Sequence, residues 1–93
     1  MLMSHAMDHA VLRVTLHREL EVTNRAAVAL QIQALVHAHR PAEVIVELPT
    51  ADPSPATLSA IARTRRMCQS IGVPLTLTGA AARARRLYEA DTA

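Results

Sequence analysis

Residues 41–55, PAEVIVELPTADPSP, hold the pattern that decides the fold. The run from Val44 to Leu48 is short, rich in β-branched residues and has a proline near each end, which is typical of a strand covered on both faces. Ser54 is a preferred helix N-cap, and Pro55 is a preferred first helical residue. The stretch therefore predicts a central strand that leads into a helix.

Upstream of this stretch, the sequence predicts a strand and a helix. Residues 11–16, VLRVTL, alternate at roughly the period of a half-buried strand. Thr23 or Asn24 can cap a following helix, which Pro41 ends. The apolar residues of this helix recur at helical spacing at Val28, Ile32, Leu35 and Val36. We expect the first ten residues to be a flexible N-terminal segment.

Downstream, the pattern continues with a helix, a strand and a second amphipathic segment. The helix that begins near Pro55 is expected to close at Gly72. Residues 73–78, VPLTLT, predict a third strand, because a proline is tolerated at the start of a strand. Residues 80–90 place apolar side chains on one side and arginines largely on the other, which predicts a third helix.

The alternation β-α-β-α-β-α predicts an α/β fold with a largely parallel sheet flanked by helices and right-handed connections. The chain has 93 residues, of which 51% are apolar, and this length suits a single domain over residues 11–93. Internal repeats, low-complexity tracts and linkers are not evident in the sequence.

The composition of the chain limits the cellular location and the kinds of partner that we expect. The formal charge is +2, so charge alone does not indicate a nucleic-acid partner. No stretch approaches the length of a membrane span, which predicts a chain that is neither secreted nor membrane-embedded. Cys68 is the single cysteine and fits a reducing compartment. We expect a cytoplasmic protein without a membrane partner.

Catalysis, metal binding and cofactor binding are not predicted. His5 and His9 are four residues apart and His37 and His39 two apart, but neither pair has further ligands at recognisable spacing. Cys68 on a predicted helix is interpreted as a packing residue. Phosphate-binding glycine loops, paired catalytic carboxylates and nucleophile elbows are absent from the sequence. We therefore expect a binding protein rather than an enzyme.

Two clusters of arginines lie on the second and third predicted helices. They consist of Arg63, Arg65 and Arg66, and of Arg83, Arg85 and Arg86. Together they could form a basic surface for nucleic acid. Without interleaved aromatic residues for base stacking, solvated helix faces are the preferred interpretation.

Two loops carry a resemblance to a known family. Residues 18–21, RELE, follow the first predicted strand, and residues 52–55, DPSP, follow the second. In this order of elements the chain resembles the STAS domain of anti-sigma factor antagonists from about Val11 to Tyr88. Family members usually have Gly-Glu-Leu-Asp at the first place and Asp-Ser-Ser-Gly at the second.

The resemblance implies a partner-switching function in bacterial transcription. The implied partner is an anti-sigma factor with a serine-kinase-like ATPase domain, which phosphorylates the chain. A phosphatase that removes this phosphate is a further implied partner. By position, Ser54 is the implied phosphorylation site. The implied partner-binding residues surround it and are Asp52, Pro53, Pro55, Thr57 and Leu58.

Several alternatives stay open. Pro53 and Pro55 depart from the family pattern and favour a scaffold, or a subunit of a larger complex, that binds without phosphorylation. Ser54 is also explained as an ordinary N-cap, and Asp52 as a carboxylate that stabilises a helix start. The chain stops soon after the third predicted helix, so a second copy of the chain is a further candidate partner.

Overall fold

The computed structural model describes residues 2–79, which form four strands and two helices in the order β-β-α-β-α-β. The elements are β1 (Met3–Asp8), β2 (Val11–Leu16), α1 (Arg25–His39), β3 (Glu43–Leu48), α2 (Pro55–Ser70) and β4 (Leu75–Gly79). This is a small α/β fold. The third predicted helix, at residues 80–90, lies outside the described residues.

The four strands form one sheet in the order β1-β2-β3-β4. Strands β1 and β2 form an antiparallel hairpin, and β2, β3 and β4 run parallel, with Leu12 opposite Val44 and Val44 opposite Leu75. Each parallel pair is joined through a helix, as βαβ units require. The predictions of a mostly parallel sheet and of an interior position for β3 are confirmed.

Strand β1 corrects the sequence-based expectation at the N-terminus. Residues 3–8, expected to be a flexible segment, instead pair antiparallel with β2 along its whole length. The sequence MSHAMD has no β-branched residue, so local propensity indicates no strand. Pairing with the apolar strand β2 overrides that weak preference. A tight turn, in which His9 has φ of 58°, connects the two strands.

The core lies between the sheet and the two helices. Three residues of β2 and three of β3 point towards the helices and are at most 4% exposed: Leu12, Val14, Leu16, Val44, Val46 and Leu48. From the helices, Val28, Ile32 and Val36 of α1 pack into the same cluster as Ile61 and Cys68 of α2. Alternating strand residues and one stripe of each helix thus form a single aliphatic core.

The opposite face of the sheet is partly uncovered in the described part of the chain. Right-handed connections between successive parallel neighbours place both described helices on the same side of the sheet. On the other side Ile45 is half-buried and Glu47 is exposed. The two described helices therefore cover β3 on one face, and the segment predicted to form a third helix lies outside the described residues.

The ends of the elements largely follow their predicted signals. Asn24 occupies the N-cap position of α1, but its side chain accepts from the backbone N–H of Glu21 and does not cap the helix; Arg40 ends this helix in the left-handed conformation just before Pro41. Helix α2 begins after Ser54 and ends at Ser70, two residues before Gly72, whose φ is +72°. Neither described helix is long and apolar enough to cross a membrane.

Candidate functional site

Two loops meet at the edge of the sheet where the parallel strands end. Residues 17–24 follow β2, and residues 49–54 follow β3. Because β2 and β3 are parallel neighbours, their carboxyl ends lie side by side, and this edge is where α/β folds commonly place functional groups. The two loops that carry the family resemblance are therefore in contact.

Ser54 is the N-cap of α2, as predicted. Its backbone is extended, with φ −64° and ψ 159°, and its Oγ accepts a hydrogen bond of 3.2 Å from the backbone N–H of Thr57. The same hydroxyl donates to the carbonyl oxygen of Leu20 at 2.9 Å. The hydroxyl of Ser54 thus caps the helix and also ties the helix start to the neighbouring loop.

Thr57 lies beneath Ser54 and is 0% exposed. Its hydroxyl donates to Oε2 of Glu19 at 2.8 Å and accepts from the backbone N–H of Leu20 at 2.9 Å. The hydroxyls of Ser54 and Thr57 are 3.0 Å apart. Because a buried hydroxyl without partners is costly, this arrangement holds the loop after β2 firmly against α2.

Glu19 supplies the negative charge of the site. Its Oε2 accepts from the backbone N–H of Ser54 as well as from the hydroxyl of Thr57. Its other oxygen, Oε1, is buried and has no hydrogen-bond partner among the described residues. The carboxylate therefore sits at the N-terminal end of α2, where the helix dipole and the free backbone donors favour an anion.

The pKa of Glu19 reports the balance of these contacts. Desolvation by burial, the largest single effect, raises the pKa of the carboxyl, but the hydrogen bonds from the backbone N–H of Ser54 and the hydroxyl of Thr57 together lower it more. The net result is a pKa below the ordinary value, so Glu19 is ionised at neutral pH. An anion is already bound at the start of α2.

The surface above this network differs in exposure from residue to residue. Asp52 and Pro55 are exposed, and Pro53 and Ser54 are half-buried. Leu58 is 47% exposed and is one of five large apolar side chains that are exposed in the described residues. Thr57, included in the predicted contact surface, is buried and supports that surface from beneath.

The side chain of Asp52 takes no part in the hydrogen bonds of the site. The side chain of Asp52 makes no hydrogen bond to any described residue, while its backbone N–H donates to the hydroxyl of Thr50 at 3.3 Å. Glu19, not Asp52, contacts the serine segment. In the sequence, Glu19 stands out only as part of the family motif at residues 18–21. Its proximity to the serine segment follows from the fold, because the loops after adjacent parallel strands lie side by side.

The other candidate residues lie elsewhere. The ring of His5 is 6.3 Å from that of His39 between centroids, a pairing that differs from both sequence pairs. In the described part of the chain no three potential ligands cluster around a metal position. Cys68 is fully buried, as expected for a packing residue, and this burial raises the pKa of its thiol.

The arginines divide between described and undescribed parts of the chain. Arg63 and Arg66 are exposed on α2 and Arg65 is half-buried, which fits a solvated helix face. The cluster at residues 83–86 lies outside the described residues.

Comparison of the chain with protein-family models and with curated proteins gives no match.

Proposed function

We propose that this chain is a protein-binding module of the anti-sigma factor antagonist kind, whose contact surface is the start of α2. The observation that carries the proposal is the exposed side chain of Leu58 on a helix start that buried hydrogen bonds hold in place. The proposed partner is an anti-sigma factor with a kinase-like ATPase domain, as the sequence resemblance implies.

A rigid apolar contact of this kind suits protein recognition. Leu58 and the exposed ring of Pro55 share the first turn of α2, and the hydroxyl of Thr57 anchors that turn to Leu20. Side chains on a preorganised surface lose little conformational freedom when a partner binds. Buried in the centre of an interface, such a residue contributes much of the affinity.

A scaffold that binds without phosphorylation is the second candidate function. The specific observation that favours it is the pair of prolines, Pro53 and Pro55, on either side of Ser54, where the family pattern has serine and glycine. In this form the contact surface is the same, and the chain is a constant subunit of a larger complex. The two candidates differ in regulation, not in the surface used.

The test is a titration of the purified chain against the kinase-like anti-sigma factors encoded in the same genome. We expect Leu58→Arg to weaken binding by about tenfold or more, because it places a charge in the apolar contact. Leu30→Arg is the matched control, since Leu30 is 52% exposed on α1 and outside the proposed surface. Equal effects of both variants, or no binding by the unaltered chain, would contradict the proposal.

A further inference from the structure

Two exposed histidines from distant parts of the sequence meet beside strand β1. The ring centres of His5 in β1 and His39 in the last turn of α1 are 6.3 Å apart. His5 lies opposite Val14, which is buried, and therefore points to the helix side of the sheet. Among the described residues neither ring has a hydrogen-bond partner, in contrast to His17, whose Nε2 lies 2.7 Å from Oγ of Ser4. The ring nitrogens of His5 and His39 are therefore available to a ligand.

The separation of the two rings suits a single metal ion held by one nitrogen of each. With metal–nitrogen bonds of about 2.0–2.1 Å, two imidazoles on one metal have ring centres roughly 5–6.5 Å apart, the larger values belonging to a nearly linear arrangement. The value for His5 and His39 lies at the wide end of this range. The last turn of α1 favours a cation as well, because the C-terminal end of a helix carries a partial negative charge.

The donors around this pair restrict the kind of metal. No third histidine, cysteine or carboxylate of the described residues joins the two histidines, and zinc sites in proteins use at least three such ligands. Two methionines, Met3 and Met7, flank His5 on the same face of β1, since side chains two residues apart in a strand share a face. Met3 packs against the core, while Met7 is 36% exposed. The thioether of Met7 is therefore the available third donor, and a soft donor of this kind selects monovalent copper.

We propose that His5, Met7 and His39 form a binding site for Cu⁺, with one nitrogen of each histidine and the sulfur of Met7 as ligands. Strand β1 is at the edge of the sheet and pairs only with β2 among the described strands. The bound ion links this edge strand to α1. It therefore stabilises the N-terminal part of the fold.

The copper site is separate from the surface of the proposed function. The end of α1 lies beside the turn between β1 and β2, where the backbone N–H of Ala42 donates to the carbonyl of Ala10 at 2.7 Å. This is the edge of the sheet where the parallel strands begin, whereas the start of α2 lies where they end. Binding of copper and binding of a protein partner are thus tested independently.

The first experiment measures the affinity for Cu⁺ by anaerobic competition with the chromogenic chelator bicinchoninate, with ascorbate present. We expect one Cu⁺ per chain, and binding weaker by about tenfold or more in both His5→Gln and His39→Gln, because each variant loses a nitrogen ligand. Met7→Leu preserves the apolar bulk and loses the sulfur, so it should also weaken binding. Cys68 is fully buried in the folded chain and does not compete for the ion.

The matched control is His37→Gln. His37 is exposed in the same last turn of α1 but lines a separate cleft with Ile71 and Val73. This variant should bind Cu⁺ as tightly as the unaltered chain. Equal losses in His37→Gln and His39→Gln, or unchanged binding in His5→Gln, would overturn the proposal.

The second experiment identifies the ligands directly. Because Cu⁺ is diamagnetic, the ring nitrogen resonances of the five histidines can be followed by NMR as the ion is added. We expect the resonances of His5 and His39 to move until one equivalent is bound, while those of His9 and His37 stay in place. Similar shifts at all histidines, or none at His5, would overturn the proposal. Neither experiment uses a protein partner, so its outcome leaves the proposed function unaffected.

Discussion

At the scale of single residues, Glu19 links the chemistry of the site to the stability of the fold. Its carboxylate accepts hydrogen bonds from Ser54 and Thr57, and these favour the charged form. When Glu19 is protonated, the acceptor that these donors need is weakened. The pKa of Glu19 in the folded chain is therefore below its ordinary value of 4.5.

This lowered pKa predicts a pH dependence of stability. The unfolded chain binds the proton of Glu19 more readily than the folded chain, so the contribution is fully present above the ordinary pKa. It is lost as the pH falls through the lower pKa of the folded state. We expect urea unfolding midpoints measured from neutral to acidic pH to fall less steeply for Glu19→Gln than for the unaltered chain.

Glu21→Gln serves as the control in the same acidic titration. Its pH profile should follow that of the unaltered chain, because the Glu21 carboxylate is exposed and outside the network. Parallel profiles for Glu19→Gln and the unaltered chain would contradict the assigned role of Glu19.

At the scale of elements, the end of β4 is restricted by its close approach to β3. Gly79 pairs with Leu48 and has φ of +94°, and a Cβ placed there would lie 2.7 Å from the carbonyl oxygen of Leu48. Any larger residue would meet backbone that other strands hold in place. Gly79 is the last paired residue of β4.

We expect Gly79→Ala to lower the free energy of unfolding by about 2–4 kcal/mol, from unfavourable φ and the clash with Leu48. Gly72→Ala is the matched control, because Gly72 also has positive φ but a Cβ there meets no atom within 4 Å. The control should lose about 1 kcal/mol, the cost of the left-handed conformation alone. Urea denaturation of both variants measures the difference, and equal losses would exclude the clash.

At the scale of the whole molecule, β1 completes the sheet. Its six residues pair with β2, and Leu2 and Met3 pack against the core. Without β1, the buried strand β2 would become a sheet edge with unpaired backbone groups. The N-terminal segment thus belongs to the folded domain and protects one edge of it.

Deleting residues 1–8 tests this position. We expect the free energy of unfolding to fall by about 2 kcal/mol or more, since several ladder hydrogen bonds and the packing of Leu2 and Met3 are lost. Urea denaturation followed by circular dichroism measures the change. If the segment were the flexible tail that its sequence indicates, the deletion would leave the midpoint unchanged.

Much of the fold could be predicted from local pattern. The limits of β2 at Val11 and Leu16, and the start of α2 after Ser54, agree with the sequence signals. Alternation, helical spacing and caps depend on residues within one or two turns of one another. Such interactions are read directly along the chain.

The site was predictable only in part. Ser54 was identified by its place at a helix start, but its main partners were not, because Glu19 is 35 residues away and Leu20 is 34. No local pattern specifies which carboxylate will meet a given helix start. The contact arises once β2 and β3 pair in parallel and bring their loops together.

The sequence by itself determined the order of the parallel strands and helices, and the serine at the N-cap of α2. These features follow from short-range sterics and hydrogen bonding, which favour the same local conformations in the unfolded chain. The N-terminal strand and the anion at the start of α2 depend on contacts between distant segments. Only the tertiary structure stabilises them. The N-terminal strand β1 has weak strand propensity and gains its hydrogen bonds from β2, and the carboxylate of Glu19 gains its donors from the start of α2.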